Sequence, residues 1–195
     1  MWALVESGSV SKIFTRPTQI KINDINYPSN IFMLWSSSEL KAIGIYEIVI
    51  DNTNLKDKKY YINTNQSFNF ASDTVTASYG TATAKAIADV TDDDGNVTKG
   101  LKSIKKENLN AEAGGILQST DWMTIRETEG GTAMPSNIKT WRASVRTKAN
   151  DMCTQIDNAA DVDALAALYE YTNTGTEEEP VYTRPLGEFP TPLSS

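Results

Sequence analysis

The chain has 195 residues, a net charge of -7 from 18 basic and 25 acidic side chains, one cysteine and no histidine. A body of this length can bury roughly 70% of its unfolded surface without staples, a lone thiol excludes an intramolecular disulfide, and an acidic balance without any Lys/Arg cluster argues against nucleic acid as a partner. Lacking histidine, the chain has none of the commonest general base, nucleophile partner or metal ligand.

The opening MWALVESGSVSK carries neither the basic n-region nor the apolar h-region of a signal peptide. No later run approaches the roughly 20 apolar residues that cross a bilayer, so neither a membrane nor export is expected, and Cys153 is read as a small buried residue in a reducing compartment. Residues 2 to 14 form two apolar runs around Glu6-Ser7-Gly8-Ser9, which predicts a hairpin. A strand over Gln19 to Ile22 follows, turning at Asn23-Asp24 toward Ile25. Pro28 and Asn30 punctuate the next stretch, and the hydroxyl-then-acid pattern of Ser36 to Lys41 predicts a short helix over Ser38 to Ile43, ended by Gly44. Leu34, Trp35, Leu40, Ile43 and Ile45 are its expected buried set, and Tyr46 to Ile50 returns to strand.

From Lys58 to about Lys105 the runs YYINT, FNF, TVTASYGTATAKAI and NVTKGLKSI are rich in strand formers. The turn Asp92-Asp93-Asp94-Gly95-Asn96 invites a calcium reading, but Val90 and Leu101 stand where an EF-hand loop needs ligands, so a hairpin tip is expected. After Lys105 the pattern becomes helical, weakly over Glu107 to Leu117 with Gly114-Gly115 inside it. Ile138, Trp141, Val145, Ala149, Met152 and Ile156 follow at intervals of 3, 4, 4, 3 and 4, which predicts a long amphipathic helix capped by Ser136. Asp161 caps a further short helix with Val162, Leu165 and Leu168 inward. Beyond Tyr171 come four prolines and an acidic run without periodicity, an extended tail with no core of its own, either disordered or laid along a partner, the second reading being favoured by Val181, Tyr182, Leu186 and Phe189.

The fold class expected is therefore α+β, with an N-terminal antiparallel β region over 1–105, a C-terminal helical module over 106–171 and an extended tail over 172–195. Chemistry is sparse. Gly114-Gly115 and Gly130-Gly131 match no phosphate-binding spacing. Asp121, Glu127 and Glu129, or Asp92 to Asp94, could supply the carboxylate pair of a glycan hydrolase, yet acidic groups in turns are usually solvated, and Asp121 is placed to cap. Arg142 and Arg146, i to i+4 on the long helix, are expected to pin the loop through Asp121 and Glu127. Gly130-Gly131 and Pro135 then turn the chain, Arg126 and Glu127 pair with charges of the helix, and Trp122 packs beneath Trp141, its truncation costing roughly 3 to 5 kcal/mol.

Two stretches are similar to known proteins. The run from Ala3 to Ile48 resembles the N-terminal region of a family of tail or tail-fibre-associated proteins of marine and cyanobacterial phages, chiefly through Pro28, Asn30, Trp35, Ser36, Glu39, Leu40 and Gly44. Asp121-Trp122, Arg126, Pro135, Trp141, Arg142 and Arg146 resemble the Asp-Trp, Arg, Pro, aromatic-Arg-x-x-x-Arg module of phage tail assembly chaperones and tail-fibre assembly proteins, with Trp141 in place of the more usual Tyr. The closing GEFPTP is similar to the aromatic-Pro ending of such chains. The resemblance implies a non-enzymatic protein made in the host cytoplasm and retained in the virion tail, binding other phage tail, baseplate or fibre proteins and open to homo-oligomer formation. A transient tail-fibre assembly chaperone is the alternative. No catalytic residue, metal or cofactor is implied.

Overall fold

The computed structural model describes residues 1–192, so the last three positions of the expected tail, 193–195, lie outside the described residues. The chain is α+β, strands dominating the first part and helices the second. It divides into two compact units, Met1–Thr83 and the residues from Ala84 onward.

In the first unit β1 (Trp2–Glu6) and β2 (Ser9–Phe14) form the expected hairpin. Its turn residues Ser7 and Gly8 both have positive φ, 51° and 78°, the left-handed pair whose twist matches that of the strands. The same device recurs at Asn23-Asp24, joining β3 (Ile20–Ile22) to β4 (Ile25–Tyr27), and at Ser72-Asp73, joining β7 (Gln66–Ala71) to β8 (Thr74–Tyr79). Between the first two hairpins and β5 (Ile45–Asp51) lie two short helices, α1 (Ile31–Leu34) and α2 (Ser37–Ala42). Ser36 and Glu39 close a reciprocal capping box, the Ser36 Oγ accepting from the Glu39 N–H and the Glu39 carboxylate from the Ser36 N–H at 2.8 Å. Gly44 ends this corner at φ +83°, where a Cβ would lie 2.9 Å from the Val5 carbonyl oxygen. Its own carbonyl accepts the Val5 N–H at 2.8 Å, so the helix exit is locked to the first hairpin.

The main sheet runs in the order β2-β1-β5-β8-β7. It is antiparallel except for β5 beside β8, which is parallel, with Ile48 opposite Val75. A parallel pair needs a long crossover, and here residues 52–73 supply it, containing β6 (Tyr61–Ile62) and β7. The core beneath gathers Leu4, Phe14, Ile20, Ile22, Ile31, Phe32, Leu40 and Ile45, with Trp2, Tyr27, Trp35 and Ile43 packed against it. Leu34 is not in it: it is 74% exposed. Sequence reasoning missed the single turn α1, whose first two residues, Ile31 and Phe32, enter the core while its last two, Met33 and Leu34, stay outside.

The boundary between the units falls within β9 (Thr83–Ala84), so the second begins at Ala84, earlier than the boundary at 105 that composition suggests. The Leu101 and Lys102 N–H groups donate to the Ala86 and Ile87 carbonyls, which ties that segment to the helix following it. The DDDGN tip joins β10 (Val90–Thr91) to β11 (Val97–Thr98), with the Asp92 carboxylate accepting the Asp94 and Asn96 N–H groups at 3.1 and 2.8 Å. The expected strand through Leu101–Ile104 is instead helix: α3 spans Leu101–Gln118, with Gly100 at its N-cap donating to Asp89 at 2.8 Å. Its Gly114-Gly115 pair is unfavourable in isolation by about 1 kcal/mol per residue relative to Ala. Packing of α3 against α5 (Ser136–Asn158) offsets this, through Ala113, Trp141, Val145 and Ala149. Trp141, Val145, Ala149, Met152 and Ile156 are all buried, as their spacing required. Pro135, not Ser136, occupies the N-cap of α5, and no side chain caps it; Ser136 is the first helical residue. α6 (Val162–Ala167) is capped by Asp161, which accepts the Ala164 N–H at 2.8 Å, and buries Val162 and Leu165.

The segment after Tyr171 is not a strap without a core. It forms a small hairpin, β12 (Thr172–Asn173) with β13 (Tyr182–Thr183), and then folds back. Leu186 is fully buried, its N–H donating to the Leu168 carbonyl at 3.0 Å and its carbonyl accepting from Lys148 at 3.1 Å. Phe189 packs on the α3–α5 cluster. The prolines that exclude helix here leave an extended backbone whose apolar side chains find the chain's own helices.

Candidate functional site

The residues that sequence reasoning singled out in the second unit converge on one short helix, α4 (Asp121–Thr128), and the first half of α5. The stretch before Pro135, expected as a loop, contains eight helical residues. No residue of α4 is buried, so polar ties hold the helix in place.

Arg142 supplies most of them. Its side chain is 6% exposed, and its guanidinium donates to the Leu117 carbonyl at 2.9 Å, to the Thr120 hydroxyl and to the Asp121 carboxylate at 2.7 Å. One planar cation thereby joins the carbonyl end of α3, where the helix dipole favours positive charge, to the first turn of α4. Asp121 is thus an ion-pair partner and not a cap. Thr120 occupies the N-cap position without a side-chain cap bond.

Glu127 pairs with Lys139 at 2.5 Å, not with an arginine. Asp121 meets residue 142 while Glu127, six positions later, meets residue 139, so α4 runs opposite to the start of α5, and Arg146 lies past the reach of both carboxylates. Among the described residues Arg146 makes no ion pair, and the predicted lattice reduces to two separate pairs. Arg126 likewise does not reach the charges of α5. Its Nε donates to the Thr132 carbonyl at 3.0 Å, and its guanidinium stacks 4.8 Å from the Trp122 ring centroid.

Trp122 does not pack beneath Trp141. It is 53% exposed, and Ile125, three residues on and on the same side of α4, is 58% exposed. The opposite side carries Thr124 and Glu127 and faces a cavity of about 220 Å³, lined also by Met134, Lys139, Arg142 and Arg146. Trp122→Ala is therefore expected to change stability by less than about 1 kcal/mol in urea denaturation, well short of the cost of truncating a buried indole. Trp141 is the anchored indole: it is buried, and its Nε1–H donates to the Thr191 carbonyl at 2.9 Å.

No family model, curated protein or solved structure matches this chain.

The N-terminal motif positions all serve the α1–α2 corner. Pro28 offers its carbonyl to the Ile31 N–H, Asn30 precedes α1 without a side-chain cap bond, Trp35 meets Tyr27 edge-on at 5.8 Å, and Glu39, Leu40 and Gly44 are the cap, core and exit already described. Of the four tail residues read as partner-facing, Leu186 is buried and Phe189 packs on this chain's own helices, whereas Val181 and Tyr182 are 53% and 63% exposed.

Two of the candidate carboxylates, Glu127 and Asp92, are held in the ionised form. A general acid needs a raised pKa, whereas the bonds from Lys139 and the Met134 N–H hold Glu127 below the usual carboxylate range, and those from Asn96 do the same for Asp92. Burial pushes the Cys153 thiol up, away from the reactive thiolate. Glu39, Asp51, Asp73 and Asp89 are also held low by hydrogen bonds from Ser36, Thr53, Lys41 and Gly100 respectively. A carboxyl whose folded pKa is depressed stabilises the fold above its unfolded value, near about 4, and that contribution is lost as pH falls through the folded value. Melting temperature followed by circular dichroism is expected to hold from about pH 7 to 5 and to fall progressively below about pH 4.

Proposed function

We propose that this chain is a non-enzymatic phage tail-associated protein that acts by binding other tail, baseplate or fibre chains and remains in the virion. The observation that carries the binding role is the outward face of α4. Trp122 and Ile125 are large exposed apolar side chains on a helix that two ion pairs, Asp121 with Arg142 and Glu127 with Lys139, hold to α5. An exposed aromatic on a fixed element is the kind of anchor that dominates protein interfaces. The phage assignment itself draws on the motif resemblance of the two stretches, and the rigid mounting of both motifs suits a structural part. The carboxylates that a glycan hydrolase would use are engaged by Arg142 and Lys139, which disfavours that reading.

Mass spectrometry of purified particles is the test. The chain is expected at a fixed ratio to other tail proteins; its absence from particles, with presence in lysates, would favour the transient assembly chaperone. Asp121→Asn with Glu127→Gln is expected to leave particles without any change in sugar-cleaving activity.

A further inference from the structure

We propose that the first unit carries a binding site for a neutral saccharide at the open end of the β7–β8 hairpin. Gln66 begins β7 and Tyr79 ends β8, and the register places them directly opposite each other, at the far end from the Ser72-Asp73 turn. Beside this pair is a cavity of about 490 Å³, lined by Asn63, Thr64, Asn65, Gln66, Tyr79 and Lys58 among others. That volume falls within the roughly 300–1,000 Å³ range of small-molecule clefts.

The chemistry of the lining selects the ligand. It contains no carboxylate, which removes the partner that a cationic ligand needs. Lys58 is its one cation and already has an interaction of its own, so the site is poorly built for an anion. Leu55 and the Tyr79 ring are the only sizeable apolar groups, too little for a hydrophobic ligand. What remains is a set of side-chain amides and a hydroxyl beside an aromatic ring. Each amide offers a donor and an acceptor together, which matches a hydroxyl that must both give and accept, and an aromatic ring gives the C–H face of a sugar a surface to pack on.

Part of the wall is fixed in advance. Asn63 bonds both the Lys56 N–H, at 2.9 Å, and the Lys56 carbonyl, at 2.8 Å, while the Thr64 hydroxyl accepts the Gly80 N–H at 2.8 Å and keeps its proton to donate. The side-chain amides of Asn65 and Gln66 have no partner among the described residues, so they are available without breaking any bond. A rigid wall with uncommitted polar groups lowers the ordering cost of binding. This inference is independent of the tail assignment.

The experiment titrates the full chain, isotopically labelled, with glucose, galactose, mannose and N-acetylglucosamine, each to about 50 mM, above the millimolar dissociation constants expected of single-sugar contacts. Saturable amide shifts centred on residues 63–66 and 79–80 are expected with at least one sugar. Gln66→Ala and Tyr79→Ala are each expected to weaken that binding about tenfold, or about 1.4 kcal/mol, and Tyr79→Phe, which keeps the ring, to retain it. Unchanged melting of Gln66→Ala separates loss of binding from loss of fold. No saturable shift with any of the four sugars, saturation by inorganic phosphate instead, or full binding in a folded Gln66→Ala variant would each overturn the proposal.

Discussion

Replacing Arg142 with methionine is expected to destabilise the second unit by about 2–3 kcal/mol, because several hydrogen bonds from a charged donor are lost together. The variant keeps an apolar stem of similar length, so the loss reports on the guanidinium and not on a hole in the packing. Asp121, whose side chain is 52% exposed, can return to water, which keeps the cost below that of stranding a buried charge. Arg142→Lys should recover little of it, since one ammonium cannot reach the Leu117 carbonyl, the Thr120 hydroxyl and the Asp121 carboxylate from a single position. Urea denaturation of both variants provides the measurement. A midpoint unchanged in Arg142→Met would mean that α4 is held by something other than this cation.

Leu186→Ala is expected to cost about 2–5 kcal/mol, the range for removing a fully buried leucine from a packed core. Val181→Ala and Tyr182→Ala, a few positions earlier in the same Pro-rich segment, should each stay within about 0.5 kcal/mol. Thermal and urea melts of the three variants test whether the segment belongs to the fold. Equal and small effects at all three positions would return it to the role of a loose strap awaiting a partner.

Where one pattern dominates, the sequence is a sufficient guide. The 3-4 spacing of Ile138 to Ile156 allows one helix and one buried face, and Ser36 with Glu39 marks a helix start from their chemistry alone. Ser7-Gly8 and Asn23-Asp24 announce turns because few residues accept positive φ. The failures share a physical cause, since each depends on a partner distant in sequence. Leu101–Ile104 reads as strand by composition and becomes helix because Ala86, Ile87 and Asp89 cap it from upstream. Trp122 reads as core because indoles usually are, yet α4 is mounted through Asp121 and Glu127, which leaves the indole outside. Leu186 reads as free because prolines surround it, and only the placement of Leu168 and Lys148 reveals where it goes. In the candidate site the motif arginine Arg142 was legible, whereas Lys139 and Ile125 were not: neither belongs to a motif, and one helical turn of offset decides which charge meets Glu127.

The backfolded end of the second unit also sets the tempo at which that unit can form. Pairing of α3 with α5 is itself a long-range closure, since Lys102 and Lys106 reach Asp157 across 55 and 51 positions. The closing contacts join residues far apart along the chain, 50 positions between Trp141 and Thr191 and 38 between Lys148 and Leu186. Loop-closure entropy must be met before such contacts stabilise anything. The helix pair and the docked end are both closures of this kind, so the second unit is expected to refold more slowly than a helical hairpin built on local contacts. The split of the Leu186→Ala effect between the refolding and unfolding rates then reports whether the Leu186 seat is already filled in the transition state.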